Sequence, residues 1–185
     1  MTQSPPPERS AAPAEPADVI RQFVEHWGVM ARSWGINATM GELFALLYIT
    51  GDDWTADALK QRLRVSRGNV SMNLRELMAW GVVHKVHRQG QRREFYRAEA
   101  NVWTLFRRIL HERKRRELDP TLGVLDRTAE TARSDPALRP LEQRIVALQQ
   151  FFGLIDRLAT RLTELESEDI DDLRALVEPS PDPTS

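Results

Sequence analysis

Residues 54–98 read WTADALKQRLRVSRGNVSMNLRELMAWGVVHKVHRQGQRREFYRA, and the order of elements in this stretch decides the fold. Thr55 can cap a short helix through Leu63, and Ser66 a second through Trp80, because a hydroxyl oxygen placed before a helical run accepts from the free amides of its first turn. Gly81 supplies a left-handed terminator for the second helix. The loop between the two helices is only about three residues long. Val82–His87 and Arg93–Ala98 are then extended in character and flank Gln89-Gly90-Gln91, a plausible tight turn. Helix, short turn, helix and a two-stranded hairpin make a winged helix-turn-helix.

Outward from this stretch, the chain reads mostly as helix. Ile20, Phe23, Trp27, Ala31 and Trp34 recur at steps of three and four and end near Gly35, one apolar stripe. Leu43, Leu46, Leu47 and Ile49 mark a helix over 39–50 that stops at Gly51. Helical spacing returns at Val102, Leu105, Phe106, Ile109 and Leu110. Asp119-Pro120 predicts an N-cap followed by a first-turn proline. A long helix then carries Leu141, Ile145, Leu148, Phe152, Ile155, Ala159 and Leu162 at alternating steps of four and three, a coiled-coil-like seam. Ser167 can cap a last helix with Ile170, Leu173 and Leu176.

Eight of the eleven prolines lie in 1–16 and 179–185, polar stretches expected to be disordered. The expected organisation is a tail over 1–17, a winged-helix domain with flanking helices over 18–118, a helical dimerisation region over 119–178 and a tail over 179–185. The fold class is mainly α, with a two-stranded β wing and C-terminal dimerisation helices.

Charge is divided along the chain. Residues 55–118 hold 16 Lys and Arg against six Asp and Glu, a net +10, while the remainder carries −11. A basic surface on an acidic body fits a polyanionic partner. The second helix of the pair buries Val70, Leu74, Leu77 and Met78 on one side. Its other side offers Gly68, Asn69, Met72, Arg75 and Glu76, with Ser71 and Asn73 at the flanks. A B-form major groove admits one helix, whose N-terminal turns reach base edges. Small side chains permit close approach, and Gly68 removes one altogether. Asn69 can pair with adenine, Arg67 or Arg75 with guanine, and Met72 can touch a thymine methyl. Free amides at the Ser66 end can hold a phosphate. On the hairpin, Lys85, Arg88, Arg92, Arg93 and Arg97 face a single Glu94, and cations on a protruding turn neutralise phosphate.

Residues 54–118 resemble the GbsR-type branch of the MarR-like winged-helix transcriptional regulators, and a weaker likeness extends back to Trp27. The pieces that carry it are Ser66-Arg67-Gly68-Asn69-Val70-Ser71, Leu74-Arg75-Glu76-Leu77, Trp80-Gly81, and Gly90 with Arg92-Arg93. Ile36–Gly41 departs from the arginine-containing version of that segment. The resemblance implies a homodimer on a pseudo-palindromic DNA operator, usually a repressor, often retuned by a small-molecule effector. Leu141, Ile145, Leu148, Phe152, Ile155 and Leu162 are the expected dimerisation residues, because their seam and the first-helix stripe together exceed what one small winged domain covers; the alternative is that the seam folds back onto its own domain. Members of that branch tied to betaine metabolism bind choline, and aromatic cages hold quaternary ammonium groups by cation–π attraction. Trp27, Trp34 and Trp103 are therefore the effector candidates, beside the ordinary alternative that they are core.

Other chemistries find little support. There is no cysteine, which removes disulfides and thiolate metal sites. His84 and His87 are three apart in a predicted strand and point to opposite faces, so no metal and no cofactor is expected. No GxSxG, HExxH or GKS/T run is present, so an enzyme is not expected. Asp52-Asp53 and Asp171-Asp172 read as loop or helix-start carboxylates. Arg113–Arg116 could approach flanking phosphate or neutralise the acidic C-terminal half. The longest apolar run, Leu43–Ile49, is seven residues, against about 20 for a membrane span. No membrane partner and a cytoplasmic location follow as expectations, with nucleoid association when DNA is bound. Two readings stand beside the regulator: a winged-helix protein-interaction module without base readout, and a non-specific architectural nucleic-acid binder.

Overall fold

A computed structural model describes residues 15–165 of the chain. The expected helix after Ser167, Asp171-Asp172 and nearly all of the two proline-rich tails lie outside these residues. The chain forms two compact units, divided at Ala100/Asn101. Sequence pattern places a boundary after residue 118, whereas the structure groups 101–118 with the C-terminal helices.

The first unit contains α1 (Pro16–Ser33), α2 (Ala38–Thr50), β1 (Trp54–Thr55), α3 (Ala56–Leu63), α4 (Arg67–Ala79), β2 (Val83–Val86) and β3 (Phe95–Ala98). Its core is built on α2, where Met40, Leu43, Leu46 and Leu47 are all but sealed from solvent. A helix that apolar on every side belongs in an interior. Against α1, its approach is set by Gly41: a Cβ there would lie 2.6 Å from the Ala31 Cβ and 2.8 Å from the Trp27 carbonyl oxygen. Leu59 of α3 and Val70, Leu74 and Leu77 of α4 complete the core with Val82 and Val83.

Local signals place the ends of these helices. Thr55 Oγ1 accepts from Ala58 N at 3.2 Å, and Ser66 Oγ from Asn69 N at 3.2 Å. Gly81 has φ +73°, and Val82 N donates to Leu77 O at 3.1 Å, closing α4 with a left-handed cap. The sheet order is β1-β3-β2, antiparallel throughout, with Val83 opposite Ala98 and Trp54 opposite Tyr96. The two-stranded wing is present as read, and β1 adds a third strand. Two residues carry no periodicity, so β1 left no signal in the sequence.

The second unit contains α5 (Val102–Arg113), a wide π turn over Lys114–Leu118, α6 (Asp119–Arg133), a 3₁₀ turn over Pro136–Leu138 and α7 (Arg139–Glu164). Asp119 is not an N-cap: its backbone is helical, φ −59° and ψ −45°, and the chain runs through it from α5 to α6. Its carboxylate instead takes a bond from Lys114 Nζ at 2.7 Å. A proline inside a helix loses a hydrogen bond and collides with the carbonyl four residues back. The wide turn just before Pro120 is where the helix absorbs that misfit.

α6 and α7 run antiparallel, tied by Arg133–Glu142 at 3.0 Å and Gln149–Asp126 at 2.7 Å. The expected single seam on α7 divides into two faces. Ile145, Phe152 and Leu162 are half-buried, and Phe152 and Ile155 line a cavity with Leu110 and Leu118. Leu141, Leu148, Phe151, Leu154, Ile155 and Leu158 are exposed.

Candidate nucleic-acid interface

The N-terminal turns of α4 stand open. Ser66, Arg67, Gly68, Ser71, Met72 and Arg75 are exposed. A Cβ added at Gly68 would meet nothing within 4 Å, and its φ is not positive. Neither packing nor backbone conformation requires glycine there, although glycine costs about 0.5–1 kcal/mol against alanine in a helix. The surface over Gly68 is open to close approach from outside the protein. The Arg67 side chain makes no hydrogen bond or ion pair among the described residues. Arg75 turns back on its own helix, Nε donating to Ser71 O at 3.3 Å.

Asn69 sits at the edge of this face, half-buried against α2. Its Nδ2 donates to Thr39 Oγ1 at 3.4 Å, and its Oδ1 accepts from Asn73 Nδ2 at 2.5 Å. Asn73, expected at the flank of the exposed face, is fully buried. The sequence held the signal: Asn73 falls three after Val70 and four before Leu77, on the apolar stripe itself. Thr39 lies in the divergent segment Ile36–Gly41, where Asn37 caps α2 by accepting from Thr39 N at 2.9 Å.

The wing tip spans residues 87–94, with Gly90 at φ +78° and Gln91 N donating to Arg88 O at 3.1 Å. Arg92 and Arg93 are exposed and make no hydrogen bond or ion pair among the described residues. Lys85 is paired with Glu94 at 2.7 Å, and Tyr96 Oη donates to the other Glu94 oxygen at 3.0 Å.

Arg88 is committed elsewhere. Its Nε and Nη2 reach Asp53 Oδ2 at 3.0 and 2.9 Å, and Arg97 Nε reaches Asp53 Oδ1 at 2.6 Å. The Arg88 guanidinium also lies 4.6 Å from the Phe95 ring centroid. The Asp53 side chain is only 3% exposed. Burial alone would raise its carboxyl, but the hydrogen bonds from Arg97 and Arg88 outweigh that and hold it below its usual range. Asp53 lies in a loop, one of the two places expected for it, and there it clamps the wing to the segment before β1. Nothing local in the sequence marks it, because its partners lie 35 and 44 residues away.

The basic run of the second unit is internally neutralised. Arg113 pairs with Glu117, and Lys114 with Asp119 at 2.7 Å and Asp156 at 2.8 Å. Arg115 and Arg116 both reach the buried Glu112, at 2.8 and 3.2 Å. Of the tryptophans, Trp27 packs between Phe23 and Phe44, with centroids at 5.6 and 6.0 Å. Trp34 is exposed, and Trp103 stacks on Phe106 at 5.1 Å and donates to Leu165 O at 3.2 Å. A cavity of about 440 Å³ in the first unit is lined by Val24, Glu42, Leu46 and Arg62 among others, and by neither Trp27 nor Trp34.

No family model matches the chain. It is 24% identical over 174 residues to a Bacillus subtilis (strain 168) protein named Putative HTH-type transcriptional regulator YvaV, covering 84% of this chain and 94% of that one. A solved transcriptional regulator aligns with 78% of this chain and 95% of its own, at a TM-score of 0.60 and 20% identity. That likeness establishes a shared fold. Wild-type MarR from E. coli covers 87% of this chain and 90% of its own at a TM-score of 0.34 and 13% identity, too distant to carry an argument. No helix among the described residues is long and apolar enough to cross a membrane.

Proposed function

We propose that the protein is a sequence-specific DNA-binding transcription regulator of the MarR-like kind, acting as a homodimer and repressor on a pseudo-palindromic operator. The observation that carries this reading is the bare start of α4. Gly68 has empty space over it, and Ser66, Arg67, Ser71, Met72 and Arg75 surround it. Such a surface fits a major groove, where the first turns of one helix meet base edges. Arg92 and Arg93 at the wing tip supply uncommitted cations for the phosphate backbone. The name of the B. subtilis relative, a putative HTH-type transcriptional regulator, supports the same reading.

The exposed apolar residues of α7 are the proposed contact between two copies. Two-fold symmetry then presents two copies of α4 to half-sites about 34–36 Å apart, or a multiple of that. Regulation by a small molecule would require it to bind one spacing of the two α4 helices better than another.

The test is selection of duplexes from a randomised library in the presence of excess competitor DNA. Recovery of a two-fold symmetric motif is the expected outcome. Salt-sensitive binding indifferent to sequence would indicate an architectural binder, and no binding even at low salt an interaction module. Arg92→Ala is expected to weaken all sequences alike and to flatten the salt slope by about 1. A reporter carrying the recovered motif at its promoter is expected to rise in activity when Arg67→Ala replaces the native protein.

A further inference from the structure

We infer that Asn73 is a positioning residue for base recognition: from inside the core it locks the Asn69 carboxamide in one orientation, and so decides which strand of a base pair must carry adenine. The inference rests on the DNA-reading role proposed for α4.

The first observation is a cost. Asn73 has no exposed surface and sits on the stripe formed by Val70, Leu74 and Leu77. Its Nδ2 donates to Asn69 O at 2.9 Å and to Asn69 Oδ1 at 2.5 Å. Its own Oδ1 is buried without a partner among the described residues. A buried unpaired acceptor costs about 1–3 kcal/mol, which leucine at the same place would avoid. The stripe alone therefore calls for an apolar residue, and the amide must act elsewhere. Its orientation is not ambiguous, because turning it over would place Oδ1 against two acceptor oxygens.

The second observation is what Asn69 has left. A carboxamide carries two donor hydrogens and two acceptor sites on oxygen. Asn73 occupies one acceptor site and Thr39 Oγ1 one hydrogen. One donor and one acceptor site remain, on the ends of the amide that these two bonds fix. That is the complement of adenine, which offers N7 as acceptor and N6–H as donor in the major groove. Seen across the groove, A·T and T·A present these groups in opposite order. An amide free to turn over fits both, whereas a locked one fits one.

The experiment compares full-length wild type, Asn69→Ala, Asn73→Leu and the double variant in the same randomised-duplex selection, with thermal melting of each. Asn73→Leu removes the lock without leaving a cavity or an orphaned acceptor, so its melting temperature should equal or exceed wild type. Affinity for non-specific duplex and the salt slope should not move. At one base pair per half-site, the preference for A·T over T·A should fall about tenfold, within the range of one bidentate base contact. The double variant should match Asn69→Ala at that pair, since the two residues act through one contact. If Asn73→Leu fails to fold, Asn73→Ala takes its place with the same expected binding profile and a lower melting temperature, since it leaves a cavity. A wild-type motif retained in full by the Asn73 variant would overturn the inference and leave the DNA-reading proposal standing. A wild type that enriches no motif would overturn both.

Discussion

Arg64, which ends α3, has φ +55°, the only positive φ at a non-glycine position among the described residues. An L side chain there is strained by about 1–2 kcal/mol. Arg64→Gly is therefore expected to stabilise the protein by about 1 kcal/mol, raising the melting temperature by roughly 2–4 °C for a chain of this size. Asp53 presents the opposite case, a single side chain that holds several others. Its carboxyl is kept below its ordinary value of 3.8. The clamp's contribution is thus fully present above that ordinary value and is lost as pH falls through the lower folded value. Wing amides should accordingly lose hydrogen-exchange protection selectively in acid. Asp53→Asn is expected to cost about 1–3 kcal/mol, the range for charge-assisted hydrogen bonds, and to abolish that acid dependence. Unchanged exchange in β2 and β3 of the Asp53→Asn variant would mean that the wing is held by the strands alone.

Two helices each carry a glycine early in their length, and the structure gives the two opposite meanings. In α2, Gly41 lets α1 approach, and a methyl group would be driven against the Trp27 carbonyl and the Ala31 side chain. Gly41→Ala should destabilise by about 1–3 kcal/mol, the usual cost of overpacking a well-packed contact. In α4, Gly68 faces open space. Gly68→Ala should leave stability unchanged or raise it by up to about 1 kcal/mol, the helix propensity gain, while Gly68→Leu should weaken duplex binding without lowering the melting temperature. Urea titration of the three variants beside their duplex affinities separates the two roles. Both glycines were visible in the sequence, but only the neighbouring helix tells them apart.

For the molecule as a whole, the question is how many copies make the working unit. α7 shows Leu141, Leu148, Phe151, Leu154 and Leu158 to solvent, each about half exposed, at 53, 49, 57, 48 and 53%. Leu148→Glu combined with Phe151→Lys should therefore shift a dimer toward monomer in sedimentation velocity while far-UV circular dichroism stays the same. Ile145→Glu and Phe152→Glu, on the half-buried face, should instead unfold the helical unit. A monomeric wild-type protein at micromolar concentration would remove the two-fold operator from the proposal.

The part of the first unit from β1 to β3 was legible from residues 54–98, because its signals act over one or two turns. Ser66 and Thr55 cap their own helices, Gly81 and Gly90 take positive φ where the chain turns, and strands alternate with neighbours in sequence. The candidate interface was legible to the same extent: the exposed starts of α4 and the wing tip are where local pattern put them. What the sequence left open is every contact made across the fold. Arg88 reads as a free cation until Asp53, 35 residues away, closes on it. Asn69 reads as a free amide until Thr39, 30 residues away, reaches it. The stripe on α7 reads as one seam until α6 covers part of it. Local pattern fixes which residues share a helix face, since that depends only on the 3.6-residue turn. Which faces are covered, and which charges are spent, depends on distances between segments that exist only once the chain has packed.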